Sequence, residues 1–200
     1  MSLDLMLGFG SFTPSSPGLT GAESDGTNIL TGGTGMTADW TTEAATLTTA
    51  VTTAPDGTTT AALLTESSAD ARHIVYQTVT QDSSCTFSVY AKANGRRYLQ
   101  VVIGTPNGQS HVYADLQNGI ITETGVAGTG VNTSSTIEVG ANGFWKITNV
   151  GYGEPDNVIN YYVLALSNRS TQTGTTFLGN PQYTGDGTSG IYLWRPKVVA

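Results

Sequence analysis

Flat aromatic rings recur along this chain inside segments that alternate apolar and polar residues: Tyr76, Tyr90, Tyr98, Tyr113, Trp145, Tyr152, Tyr162, Tyr192 and Trp194. Such a ring stacks on the apolar face of a sugar, and Gln, Asn or Arg beside it meets the hydroxyls. Tyr98 alternates with Leu99, Val101 and Ile103, and Trp145 follows the Asn142-Gly143 turn next to Lys146. These two rings are the expected glycan-stacking residues. The remaining rings divide between the core, contacts between subunits and exposed positions.

Other chemistries find less support. His73 and His111 are the only histidines, each within a strand pattern, and no HxH, HExxH or Cys/His spacing accompanies them. Structural strand histidines are the expectation. Asp115 and Glu138 stand at strand ends and Asp186 in a terminal loop. A glycosidase needs two carboxylates about 5–9 Å apart across a cleft, and no insertion long enough to wall a cleft is present, so no catalytic role is expected. Asp56, Asp70, Asp156 and Asp186 lie in loops, where turn capping is favoured and a structural calcium is the alternative. No other cofactor is implied. Cys85, the single cysteine, alternates with Phe87 and Val89, which reads as a small buried hydrophobe rather than a nucleophile.

The elements that hold these residues are strands. Charged residues make up 12% of the 200 residues, and Gly, Thr, Ser and Asn take their surface places. Short alternating runs such as RHIVYQTV, SCTFSVYAKA, RYLQVVIG and SHVYADL are separated by Pro55-Asp56-Gly57, Asn94-Gly95, Asn107-Gly108, Asn118-Gly119 and Asn142-Gly143. That spacing predicts antiparallel hairpins stacked as a sandwich. Each sheet is expected to have one greasy face and one face bearing Tyr, Gln, Thr or Arg, the second being the candidate binding surface. Eight Lys and Arg against fifteen Asp and Glu leave a net charge of −7 and no basic face, which argues against nucleic acid. No run reaches the ~18 apolar residues of a membrane span. The opening MSLDLMLGFG lacks a basic n-region and carries Asp4, so no cleaved leader is expected.

Residues 1–36 differ in composition from residues 37–200: Gly, Ser, Thr and Pro dominate, with Leu3, Leu5, Met6, Leu7 and Phe9 at the front. This division predicts an anchoring or assembly arm over 1–36, with those five side chains as its contacts, and a sandwich over 37–200. The alternative is that the segment docks on its own domain.

The succession Trp40, APDGTTTAALLTE, FSVYAKANGRR, YADLQNGII, VGANGFWKIT and YTGDGTSGIYLW resembles the lectin-like, carbohydrate-binding-module-like jelly rolls of bacteriophage head fibres, head spikes and tail fibres, over residues ~40 to 200. The resemblance implies an all-β, antiparallel jelly-roll β-sandwich with an extended N-terminal arm. It also implies a virion structural protein on the particle surface, a capsid decoration, head fibre or tail-fibre component. Its expected partners are itself, as a homotrimer, other virion proteins through the arm, and a host-surface glycan; neither nucleic acid nor membrane insertion is expected. A monomeric carbohydrate-binding module is the alternative. The sandwich is reused for many tasks, so the fold transfers further than the function. The last strand is expected beside the first, with Ile191 and Leu193 facing one way and Tyr192 and Trp194 the other. Where the family carries Gly-Ala-Gln after the Trp, this chain has Arg195-Pro196-Lys197, and Pro196 predicts an edge or exit there.

Overall fold

The computed structural model describes residues 26–33, 35–37, 39–81, 84–154, 158–171 and 182–200. Along them run β1 (Thr41–Glu43), β2 (Ala45–Thr52), β3 (Ala61–Glu66), β4 (Asp70–Ala71), β5 (Ile74–Gln81), β6 (Cys85–Asn94), β7 (Tyr98–Gly104), β8 (Gly108–Asp115), β9 (Ile120–Gly128), β10 (Val131–Val139), β11 (Trp145–Tyr152), β12 (Val158–Ser167), β13 (Tyr183–Thr184) and β14 (Gly190–Val199). A front sheet has the order β1-β5-β12-β7-β8-β9 and a back sheet β10-β11-β6-β14-β3-β2, with β13 and β4 as a separate short pair.

All ladders between named strands are antiparallel. They nest as one long hairpin: β7 with β8 innermost, then β6 with β11, β5 with β12, and β3 with β14 outermost. The β9–β10 excursion interrupts the return. Rolled up, this nesting puts β3-β14-β6-β11 in one sheet and β5-β12-β7-β8 in the other, which is the jelly roll.

Turn chemistry makes the reversals. Asn142 (φ 57°, ψ 26°) and Gly143 (φ 78°) both adopt the left-handed conformation of a primed hairpin turn, and Phe144 N–H donates to Ala141 O at 3.1 Å. Phe144 and Trp145 therefore leave on opposite faces of the back sheet, Phe144 in a cluster with Tyr90 and Trp194, and Trp145 toward the main core.

The core lies between the sheets. Phe87, Val89, Leu99, Val101, Ile103, Ile147, Leu164, Leu166, Ile191 and Leu193 are all at most 1% exposed. Cys85 belongs to it, and burial pushes its thiol up to about 11. Leu116 also enters the core, closing the end at Asn118-Gly119.

Two expectations change. The last strand does not lie beside the first; β14 sits between β3 and β6 in the interior of the back sheet. Pro196 marks a slip in that central strand: β3 pairing ends at Leu193–Ala62, and the β6 register shifts between Trp194 and Lys197. Past that point the uncovered side of β14 is taken by the segment before β1. Ile29 N–H donates to Val198 O (3.0 Å), Asn28 Nδ2 to Pro196 O (3.1 Å) and Val198 N–H to Asn28 Oδ1 (2.9 Å). Leu30 and Met36 join the core, so the described end of the 1–36 segment is part of the sandwich. Leu3, Leu5, Met6, Leu7 and Phe9 lie outside the described residues.

Candidate functional site

Strand alternation builds the site. Because Leu99, Val101 and Ile103 of β7 point into the core, Tyr98, Gln100 and Val102 point outward from the front sheet. Register supplies the neighbours. Gln100 lies between Ala165 of β12 and Tyr113 of β8, while Val102 lies between Val163 and His111. Ile74 and Tyr76 of β5 extend the face beyond Ala165 and Val163.

An antiparallel sheet commonly leaves one face in water. The outer face of the front sheet is instead largely buried: Ile74, Val102, Val163 and Ala165 form a cluster packed against Tyr76 and Tyr161. Its polar end is unusual. Gln100 is 0% exposed, and among the described residues neither its Nε2 nor its Oε1 has a hydrogen-bond partner. Beside it, His111 is buried with Nδ1 3.4 Å from Gln109 Nε2, and its Nε2 lies 3.7 Å from Glu123 Oε1. Burial holds the His111 imidazole below its ordinary range, opposed by the Glu123 carboxylate. Burial likewise pushes the Tyr113 hydroxyl far up, so it stays a neutral phenol, edge-on to His111 with ring centroids 6.0 Å apart.

The other end of the face reaches solvent. The rings of Tyr76 and Tyr161 are half-buried, 5.9 Å apart and tilted by 46°, with Thr78, Thr80 and Ile159 exposed beside them. Two rings flanked by hydroxyls, with neutral amide and imidazole groups further along the same sheet, suit an uncharged, hydroxyl-rich ligand.

Tyr98 and Trp145 occupy one end of the sandwich but not one face. Tyr98 is half-buried at the start of β7, and the Arg97 guanidinium lies over its ring at 5.0 Å. Trp145 points inward from the back sheet: its indole N–H donates to Leu116 O at 3.0 Å and its ring packs on the core. Gly119 (φ 66°) gives it room, since a Cβ there would lie 2.1 Å from the ring. Trp145 thus plugs the end of the sandwich. Tyr161 was not among the rings singled out from sequence. In INYYVLALS its phase relative to Leu164 and Leu166 places it outward and Tyr162 inward, but apolar residues at both phases mask the alternation.

The carboxylates serve the scaffold. Asp115 pairs with Arg97 (Nε–Oδ1 2.8 Å) and accepts from Gln117 N–H and Asn118 N–H, and these donors, Arg97 first, hold its carboxyl below the usual range. Asp186 accepts from the Ser189 hydroxyl and N–H and from Thr188, which depresses its carboxyl strongly. Asp56 caps Thr58 in the same way. Asp70 is exposed in β4, Glu138 is exposed on β10, and Asp156 lies outside the described residues. Among the described residues no group of three metal-ligating side chains forms. His73 is held by Ala44 O (2.6 Å) and Tyr183 O (3.1 Å). On the back sheet, Ser88, Thr136, Lys146, Thr148 and Lys197 border an open groove of about 360 Å³ that has no aromatic lining.

No protein family and no curated protein matches this chain by sequence.

Proposed function

We propose that this chain is a non-catalytic recognition protein whose jelly roll takes a neutral saccharide on the outer face of the front sheet. The motif resemblance gives its setting: a bacteriophage virion surface component, in a decoration, head fibre or tail fibre, attached to host glycan. The observation that carries the reading is the half-buried Tyr76–Tyr161 ring pair at the solvent-reaching end of that face, flanked by exposed Thr78 and Thr80. Paired rings beside hydroxyls stack on the apolar face of a sugar and meet its hydroxyl groups. The non-catalytic part is supported by Asp115 and Asp186, which are committed to capping and pairing rather than facing each other across a cleft.

Glycan-array binding and titration of the parent protein, Tyr76→Ala and Tyr161→Ala provide the test. Removing a ring that stacks on a sugar costs on the order of 1–3 kcal/mol by analogy with other aromatic platforms, so each variant is expected to bind about 5- to 150-fold more weakly while remaining folded. A parent that binds no glycan, or folded variants with undiminished binding, would refute the reading.

A further inference from the structure

The two open sides of the sandwich differ. Near β1 and β2, the segment preceding β1 contributes Leu30, Met36 and Trp40 to the core, and Thr31 N–H reaches across to Gln77 Oε1 at 3.0 Å. On the opposite side β9 and β10 end their sheets, and among the described residues nothing pairs with their outer edges. Three of the five exposed large hydrophobic side chains among the described residues, Ile120, Val126 and Val139, lie on these two strands, with Val139 81% exposed.

The two edges are not equally open. The β9 register slips beside Thr122, whose hydroxyl donates to Ser170 O at 2.5 Å, so returning chain touches that edge. In β10 the slip lies near the start, between Asn132 and Ser134, and pairing with β11 runs regularly from Ser134 to Val139. Natural edge strands are guarded by Lys, Pro, inward charges, bulges or a covering element, because a bare edge accepts another strand. The stretch from Ser134 to Val139 has no Lys or Pro and one charge, Glu138, while Ser134, Thr136, Glu138 and Val139 are all exposed.

We propose that the β10 edge is a docking surface for a second copy of this chain, the two β10 strands pairing antiparallel across a two-fold axis so that the back sheets join. A two-fold contact uses the same patch on both copies and must be self-complementary. This strand satisfies that condition. With the axis at Thr136, Glu138 faces Ser134 of the other copy and never its own copy. Backbone groups that have no strand partner among the described residues become paired, and Val139 gains cover. The surface belongs to the other sheet from the Tyr76–Tyr161 pair, and its test involves no saccharide, so either reading can fail alone.

Light scattering coupled to size exclusion, run on the full chain over a hundredfold concentration range, reads the association directly. The expected limit is twice the 20.8 kDa chain mass. Thr136→Lys places a charged edge guard at the axis and is expected to leave a folded monomer whose melting temperature no longer depends on protein concentration. Thr136→Cys is expected to form a disulfide-linked dimer on mild oxidation, without competition from the buried Cys85. This second variant covers the case in which the lysine impairs folding. A parent that stays monomeric, a dimer unaffected by Thr136→Lys, a trimer, or failure of Thr136→Cys to cross-link would each overturn the proposal.

Discussion

Replacing Gln100 with leucine should make the protein more stable without changing what it binds. Gln100 sits in the middle of the front sheet at 0% exposure, with Ala165 and Tyr113 opposite it on the neighbouring strands and, among the described residues, no partner for either amide atom. Leucine has a similar volume and no polar atoms, so the packing is preserved and the desolvation penalty of the amide disappears. That penalty is about 1–3 kcal/mol, and for a domain of this size each kcal/mol moves the midpoint by about 2–4 °C. The expected rise is therefore roughly 2–12 °C, read by calorimetry or by intrinsic fluorescence on heating. Because the amide is 0% exposed and does not reach the Tyr76–Tyr161 end of the face, the same variant should keep its glycan binding. A lowered midpoint would show that Gln100 is satisfied in the folded protein and would refute the reasoning. A raised midpoint with lost binding would place the ligand at Gln100 rather than at the Tyr76–Tyr161 pair.

The scaffold yields two more expected outcomes. The Glu66 carboxylate, whose side chain is 0% exposed, accepts from Arg96 Nε (2.8 Å) and Nη2, Tyr183 OH (2.7 Å) and Asp186 N–H (2.8 Å). Arg96→Met strands that buried charge and is expected to cost about 3–5 kcal/mol in urea unfolding, with part of the loss recovered by adding Glu66→Gln; a change below about 1 kcal/mol would show that the pair behaves as an exposed one. Burial depresses the His111 pKa, so the folded protein favours the neutral ring and the unfolded chain takes up a proton first as pH falls below about 6.5. Stability contributed at neutral pH is then lost on acidification, with a slope of at most about 1.4 kcal/mol per pH unit. His111→Gln should flatten the fall in melting temperature between pH 7 and 5, and superimposable profiles would refute this assignment.

Local sequence determined the strand class, several turns and many inward-facing residues. Asn142-Gly143 reads as a primed turn because only residues tolerant of positive φ fit one, and the structure has φ of 57° and 78° there. Period-two alternation correctly separated Leu99, Val101 and Ile103 from Gln100, and Ile191 and Leu193 from Tyr192 and Trp194. Alternation fails where both faces are buried, as in β12, so Tyr161 and Tyr162 could not be told apart and the closed outer face of the front sheet was not foreseen. Trp145 looked like a ligand ring, yet its inward direction depends on Leu116 and Gly119 arriving from another hairpin. The slot of β14 between β3 and β6 depends on contacts with residues more than 90 positions away. Turns and side-chain phase are set by φ/ψ preferences within a few residues. Strand neighbours are set by which closure of the whole chain buries the most apolar surface and pairs the most backbone, and that choice exists only in three dimensions.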